Sequence, residues 1–176
     1  MAVDLEEPPY DLLSTHDGFE VRRYASTVQA RVLRSNADGR GNSGGFRRVA
    51  GYIFGGNDRG QRIAMTAPVH LWEDGGEALL AFTMPSAHAL ADLPTPRDSG
   101  VHLLEVEPHT VAVLSFSGLS RPSKVARLEA DLRAYARQAG LVVCGPVRLA
   151  IYDNPNTTLP FQRRNELHLP VEPPSG

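Results

Sequence analysis

Residue types that could perform catalysis are scattered through this sequence and form no recognisable catalytic motif. Ser115–Gly118 follows a predicted strand but lacks the strand–turn–helix context in which a serine nucleophile is held. Cys144, the one cysteine, has no adjacent histidine or lysine that would activate its thiol. No HExxH or CxxC spacing accompanies the histidines, which stand at positions 16, 70, 88, 102, 109 and 168. We therefore predict no catalytic residue, find little support for a zinc site, and expect a binding protein while leaving enzymatic activity open.

Two pairs of arginines are the most informative charged groups. Arg47 and Arg48 fall on a predicted helix, and Arg163 and Arg164 directly precede the last predicted strand. A guanidinium presents a planar fork of donors that binds carboxylates and phosphates in a bidentate manner. Each pair is therefore a candidate for holding an anionic ligand group. The alternative, that these arginines lie on a solvated helix face or at a solvated strand start, stays open.

The composition is that of an ordinary globular domain. The chain has 176 residues, a formal net charge of −2 and 41% hydrophobic residues, with no long run of either charge. These values give no reason to expect nucleic acid or an anionic membrane as a partner. One cysteine permits no internal disulfide, and the first residues lack the features of a secretory signal. We therefore expect a cytoplasmic protein.

Hydrophobic periodicity predicts two halves with the same order of elements. Period-2 alternation predicts strands at 19–24, 27–33, 61–72, 78–84, 101–107, 110–117, 146–153 and 165–171. Helical spacing predicts helices at about 43–54 and 123–139, which end at glycines. Pseudo-repeats at about 19–84 and 101–171 therefore each read strand-strand-helix-strand-strand.

This plan predicts an α+β fold in which the duplicated halves form a distorted antiparallel β-barrel flanked by two helices. We expect a single domain over residues 8–171, with disordered polar tails at 1–7 and 172–176. A small barrel of this kind either holds one small ligand or is filled by its own side chains, and both alternatives stay open.

Several strings, taken together, resemble the SOUL/haem-binding protein family. They are GFEVRRY (18–24), FRRVAGYIFGGN (46–57), IAMTAPV (63–69), FTMPS (82–86), LPTPRD (93–98), VAVLSFSG (111–118) and YDNPNTTLPFQRRNE (152–166). The match covers about residues 7 to 171 in order and with compatible spacing. The combination of MTAPV, MPS and RRNE makes it specific.

The resemblance implies non-covalent binding of haem or a related tetrapyrrole, in the role of a carrier or buffer. An apolar wall from the first helix and the facing strand would hold the macrocycle, and arginines at its rim would bind the propionates. The loop around Leu159 to Phe161 would close over the ligand. The implied contact residues are Phe46, Arg47, Arg48, Val49, Ala50, Ile53, Met65, Leu159 and Phe161. The alternative is that Phe46, Val49 and Ile53 are simply core residues at helical spacing.

One position departs from the family pattern. Some members offer a histidine as axial iron ligand where this chain has Arg23, and a protonated guanidinium is a poor ligand for iron. Met65 or His70 are then the candidate axial ligands.

Two other functions remain as alternatives. The duplicated architecture also resembles the effector-binding domains of some transcription regulators, which would make the chain a small-molecule sensing module. An enzyme that modifies a tetrapyrrole, for example by removing its metal, is the third alternative. The sequence does not indicate which tetrapyrrole, oligomeric state or protein partner applies.

Overall fold

The computed structural model describes residues 5–34, 43–153 and 158–174. Over these ranges the chain forms nine strands and two α-helices. In chain order they are β1 (Tyr10–His16), β2 (Phe19–Tyr24), β3 (Thr27–Leu33), α1 (Ser43–Ile53), β4 (Val69–Asp74), β5 (Glu77–Thr83), β6 (His102–Val106), β7 (His109–Ser117), α2 (Pro122–Gln138), β8 (Arg148–Ile151) and β9 (Arg164–Val171). Two short 3₁₀ helices span Leu90–Asp92 and Pro160–Gln162.

The chain divides into two compact units. The first unit joins the N-terminal residues up to Pro8 with Ser26–Glu107, and the second joins Pro9–Ala25 with the chain from Pro108 onward. Each unit contains antiparallel strands and one helix, so the predicted α+β class with two helices is confirmed. The boundary of the halves differs from the prediction, because β2 pairs with β1 and β7 and therefore belongs to the second unit.

In the first unit, α1 covers one face of a four-stranded antiparallel sheet with the order β4-β5-β3-β6. The register pairs Val32 with Leu80 and Ala30 with Phe82, which places these apolar side chains on the same face. A Cβ atom at Gly45 of α1 would lie 3.5 Å from Val32 and 3.7 Å from Leu80. The helix therefore packs closely on this face and forms the core of the unit with it.

A buried asparagine shapes the turn after α1. The side chain of Asn57 donates to the carbonyls of Tyr52 and Gln61, at 3.1 and 2.7 Å, and its oxygen accepts from the backbone N–H groups of Arg59 and Gln61. Gly55 adopts a φ of 110°, which a residue with a side chain rarely does. The chain consequently folds back along the end of the helix.

The predicted strand 61–72 is wrong in its first half, because β4 begins only at Val69. The preceding residues instead make single backbone bonds, from Ile63 to the carbonyl of Ile53 and from Ala67 to that of Glu6. Pro68 has no N–H to give to a ladder, so a regular strand does not extend through it.

The second unit is a five-stranded antiparallel sheet with the order β1-β2-β7-β9-β8 and α2 on one face. Leu132 and Ala136 of α2 are buried against apolar residues of the sheet such as Leu114, Leu167 and Leu169. Strand β1, whose residues are mostly exposed, was absent from the predictions because exposed residues do not alternate between apolar and polar types.

The tails are partly ordered where they can be described. Residues 1–4 and 175–176 lie outside the described ranges. Glu6 accepts a hydrogen bond from the backbone N–H of Ser86 at 2.7 Å, and the N–H of Glu172 donates to Val142 at 2.8 Å. The expected disorder therefore does not extend to these two residues.

Candidate functional site

The outer side of α1 carries an apolar stripe of Phe46, Ala50 and Phe54. Phe46 is 41% exposed and Phe54 is 55% exposed, although both are large aromatic residues. The backbone N–H of Phe54 donates to Ala50 at 3.0 Å, so the helical spacing continues to this residue. The two rings are thus two turns, or about 12 Å, apart along the helix axis. Such exposed aromatic area on one side of a helix is typical of a binding surface.

The space between the two phenylalanines is shallow. Ala50 has the smallest apolar side chain that a helix uses, and an added Cβ at the neighbouring Gly51 would meet nothing within 4 Å. A broad, flat molecule can therefore lie across the stripe and contact both rings. We call Phe46, Ala50, Gly51 and Phe54 the α1 stripe.

Buried residues hold the stripe rigidly from behind. Val49 and Ile53 are 0% and 1% exposed, so they lie in the core of the unit. The ring of Phe46 also packs against that of Phe82, with centroids 5.5 Å apart. Their places indicate that Val49 and Ile53 support the stripe, and that Phe46, Ala50 and Phe54 carry its surface.

Two exposed arginines flank the stripe. Arg47 follows Phe46 on the exposed side of α1, and the exposed Arg62 forms an isolated bridge with Phe54 at the other end. Arg48 is committed elsewhere, since it donates two hydrogen bonds of 2.7 Å to Asp98. The hydrogen bond from Arg48 and that from the backbone N–H of Gly100 lower the pKa of Asp98 to about 2. Arg47 and Arg62 are consequently the better placed cations for an anionic group on the stripe.

The candidate iron ligands lie in the segment after α1. Met65 is half-buried and follows Ile63, whose backbone N–H bonds the last residue of the helix. His70 is buried on β4, and its register with Ala81 places it on the sheet face opposite α1. In the described ranges, no group of three or more histidine, cysteine, aspartate or glutamate residues could hold a metal ion.

Leu159 and Phe161 lie in the second unit and are among its most exposed apolar residues. Leu159 is 56% exposed, and Phe161, in a short 3₁₀ helix, is 70% exposed. The predicted closure of this loop over a ligand stays a prediction.

The second arginine pair makes contacts within the same unit. Arg163 donates to the carbonyl of Thr158, and the guanidinium of Arg164 lies 3.9 Å from the ring centre of Tyr152.

A buried ionic network is the other notable feature, and it lies within the second unit. Glu166 accepts two hydrogen bonds from Arg22, at 2.9 and 2.8 Å, one from Tyr152 at 2.5 Å and one from His168 at 2.9 Å. Arg22 also bonds Glu20, at 2.6 Å. The side chains of Arg22 and Glu166 are only 6% and 5% exposed. We call Arg22, Glu166, Tyr152 and His168 the Glu166 network.

The Glu166 network is saturated and therefore structural. Burial acts to raise the pKa of Glu166, but hydrogen bonds from His168 and Arg22 outweigh it and hold the pKa well below its usual range. Burial lowers the pKa of His168, which keeps this imidazole neutral. Oε1 of Glu166 accepts from Arg22, Tyr152 and His168, and Oε2 accepts from Arg22 and, at 3.4 Å, from the hydroxyl of Ser115, so both oxygens are occupied by protein donors. The network accordingly stabilises the unit.

We expect the stability of the protein to fall on mild acidification. Because the pKa of His168 is lowered in the native state, the unfolded chain binds a proton at this histidine more readily than the native protein does. The free energy of unfolding therefore decreases as the pH falls through the ordinary histidine pKa of about 6.5. Glu166 acts in the same direction at lower pH, because the native state keeps it ionised. The loss from His168 alone approaches about 1.4 kcal/mol per pH unit.

Urea unfolding at pH 7.5, 6.5 and 5.5 measures this dependence. His168→Gln should flatten it, whereas His102→Gln, at an exposed position, should leave it unchanged. An identical slope in wild type and His168→Gln would contradict the assignment.

Comparison with known proteins identifies the family. A sequence model described as SOUL heme-binding protein matches residues 5–170, and the chain belongs to this family. Heme-binding protein 2 of Mus musculus is 28% identical over 173 residues, covering 92% of this chain and 82% of the mouse protein. Heme-binding protein 2 of Homo sapiens is 29% identical over 171 residues, with the same coverage of 92% and 82%.

A solved structure supports the fold independently of sequence. The C-terminal domain of EcmrR covers 93% of this chain and 98% of its own length, with a TM-score of 0.63 and 8% sequence identity. At this identity the likeness concerns the fold alone.

Sequence reasoning did not include Phe54 or Arg62 in the site. Phe54 follows Phe46 and Ala50 at a spacing of four, and this signal was present in the sequence. The position of Arg62 beside Phe54 could not be predicted from the sequence, because only the turn held by Asn57 brings the two residues together.

No described helix is long and apolar enough to cross a membrane.

Proposed function

We propose that this protein binds haem or a related tetrapyrrole non-covalently on the α1 stripe, as a carrier or buffer. The observation that carries the proposal is the pair of exposed phenylalanines, Phe46 and Phe54, on either side of the flat surface at Ala50 and Gly51. Membership of the SOUL heme-binding family supports this ligand class. A single cysteine, exposed and unpaired, fits a reducing compartment such as the cytoplasm.

The residues of the stripe fit the chemistry of a porphyrin. A macrocycle has two broad apolar faces, and covering exposed aromatic rings removes apolar area from water at roughly 25 cal/mol per Å². Its propionates need cationic partners at the edge of the apolar surface, and Arg47 and Arg62 stand there. Arg48 would have to leave Asp98 to serve, so we assign it a lesser part.

Axial ligation of the iron contributes less than apolar contact in this proposal. The stripe contains no histidine, and Arg23, which is exposed on β2, cannot replace one. Of the two candidate ligands, His70 lies on the sheet face opposite α1, so Met65 is the one that we propose for a haem on the stripe. Haem supplies the iron chemistry when it is bound, whereas the chain supplies the surface and the rim charges.

Titration with haemin and with metal-free porphyrin tests the proposal. We expect saturable one-to-one binding of both ligands with dissociation constants of about 1 μM or lower. The shift of the Soret band reports haemin binding. The change in the emission of the porphyrin itself reports binding of the metal-free ligand. Similar affinities are expected, because the apolar face of the macrocycle is common to both.

Absence of saturable binding would overturn the proposal. Binding of haemin without binding of metal-free porphyrin would place the affinity in axial ligation and contradict the role of the stripe. Release of iron from bound haemin over time would favour the alternative of a metal-removing enzyme.

A further inference from the structure

Exposed arginines surround the C-terminal end of α1. Arg59 and Arg62 belong to the segment that follows the helix, and Arg97 comes from a later part of the chain, where its backbone N–H donates to the carbonyl of Gly56 at 3.1 Å. Arg62 forms an isolated bridge with Phe54, so its backbone lies directly beside the last residue of the α1 stripe. The fold therefore brings arginines from two separate segments to this end of the stripe.

Arg47 adds a fourth exposed cation on the same side of the helix. Successive helical residues are rotated by about 100°, so Arg47 and Phe54, seven residues apart, lie within about 20° of each other around the axis. The buried Val49 and Ile53 are directed about 120° or more away from Arg47. Arg47 and Phe54 consequently leave the helix in nearly the same outward direction. We call Arg47, Arg59, Arg62 and Arg97 the α1 arginines.

Positive charge exceeds negative charge in this region. Residues 46–62 contain four arginines and one acidic residue, Asp58, and residues 92–98 add Arg97, Asp92 and Asp98. Arg48 and Asp98 neutralise each other through two hydrogen bonds of 2.7 Å. The α1 arginines therefore exceed the two remaining aspartates by two positive charges. The net charge of −2 for the whole chain does not reveal this local surplus.

Three acidic residues of the same unit form a group toward the other end of α1. Glu73, Asp74 and Glu77 are exposed around the turn between β4 and β5. A Cβ atom at Gly45, near the start of α1, would lie 3.7 Å from Leu80, which is three residues beyond Glu77. The N-terminal end of α1 is therefore the end nearer to this acidic turn, and the positive surplus lies at the C-terminal end.

We propose that the α1 stripe and the α1 arginines together dock this protein on the surface of a bilayer that contains anionic lipids. Exposed aromatic rings beside cations on one side of a helix are typical of a helix that lies in a membrane interface. The rings of Phe46 and Phe54, 41% and 55% exposed, enter the boundary between headgroups and acyl chains, and the guanidinium groups bind lipid phosphates and carboxylates. A bilayer fits the shallow stripe because it requires no complementary shape, whereas a protein partner does.

Docking places the proposed haem surface where an apolar macrocycle collects. The faces of a porphyrin leave water for a bilayer for the same reason that they bind the stripe. A carrier that docks through the α1 stripe meets its ligand at the lipid surface. This role rests on the proposed function, whereas docking itself requires only the ligand-free protein.

Co-sedimentation of the ligand-free protein with lipid vesicles tests the docking. Phosphatidylcholine vesicles with about one-third phosphatidylserine should bind the protein at least about tenfold more tightly than vesicles of phosphatidylcholine alone. Added salt should release the protein, because ions screen the arginine charges. Phe54→Ala should weaken the binding about threefold or more, because its ring no longer enters the interface.

Two double variants of equal net charge separate the α1 arginines from other surface cations. Arg59→Gln/Arg97→Gln should weaken binding to the anionic vesicles about 25-fold, at roughly fivefold for each arginine beside an anionic surface. Arg127→Gln/Arg137→Gln removes two exposed arginines of α2, in the second unit, and should leave vesicle binding unchanged. Thermal melts of each variant check that the fold is retained.

The docking proposal and the haem proposal can fail separately. Arg59→Gln/Arg97→Gln should keep its haemin affinity in lipid-free solution, because the proposed rim cations are Arg47 and Arg62. No binding to anionic vesicles, equal binding to both kinds of vesicle, or equal losses in the two double variants would overturn docking and leave the haem proposal standing. Poly-glutamate that binds as tightly as the anionic vesicles and displaces them would assign the surface to an acidic protein instead.

Discussion

Replacement of Glu166 by alanine is expected to destabilise the protein by about 3–5 kcal/mol, the cost of breaking a buried ion pair from one side. The guanidinium of Arg22 would lose its two bonds to Glu166 while only 6% of its side chain remains exposed. Tyr152 and His168 would each lose an acceptor in the same step. Urea unfolding at pH 7.5 measures the loss.

A surface glutamate provides the matched control. Glu129 also pairs with an arginine, Arg133 at 3.3 Å, but both side chains are about one-third exposed, at 32% and 39%. Glu129→Ala should cost no more than about 0.5 kcal/mol, since solvent screens the pair. The double variant Arg22→Met/Glu166→Leu should be more stable than Glu166→Ala, because it also removes the buried guanidinium, which in Glu166→Ala keeps only Glu20 as a carboxylate partner.

Equal effects of Glu166→Ala and Glu129→Ala would show that the Glu166 network is solvated in solution. That result would remove the structural role that we assign to it. A destabilised Glu166→Ala that recovers in the double variant would instead locate the cost in the buried guanidinium that has lost Glu166.

Phe54→Asp is expected to weaken haemin binding by about 10- to 100-fold while leaving the fold intact. Fully burying a phenylalanine is worth about 1.5–3 kcal/mol, and about half of Phe54 is still exposed, so loss of the ring contact alone costs roughly 3- to 13-fold at 1.4 kcal/mol per factor of ten. The new carboxylate would also repel the propionates. The protein should still fold cooperatively, because the ring of Phe54 is already 55% exposed.

Phe46→Asp separates a pocket residue from a core residue. Phe46 is 41% exposed but packs against Phe82, so this change should weaken haemin binding and also lower stability modestly. Leu12→Asp is the control, since Leu12 is 53% exposed and belongs to the second unit. It should alter neither property beyond a few tenths of a kcal/mol in stability.

Unchanged haemin affinity in both Phe46→Asp and Phe54→Asp would exclude the α1 stripe as the binding surface. If Phe46→Asp unfolds the protein while Phe54→Asp binds normally, Phe46 is a core residue and the site lies elsewhere. Circular dichroism melts, recorded beside each titration, distinguish these cases.

Sequence periodicity was sufficient for most elements and for the core side of α1. Phe46, Val49 and Ile53 share helical spacing, and two of the three are indeed buried. Periodicity reports which residues prefer to leave water, so it finds elements with one apolar face. It failed for β1, which is mostly exposed, and for 61–68, where alternation continued but Pro68 and the single bonds of Ile63 and Ala67 replaced a ladder.

The residue types by themselves determined the fold class, the lack of a catalytic motif and the family to which the chain belongs. Only the tertiary structure decided which charges are available. Arg22, Arg31, Arg47 and Arg48 look alike in sequence, but Arg22 is bound to Glu166, Arg48 is bound to Asp98, and Arg31 stacks on Trp72. The physical reason is that a charge is neutralised by whatever lies within a few ångströms of it, and those partners lie 144 residues away for Arg22 and 50 for Arg48.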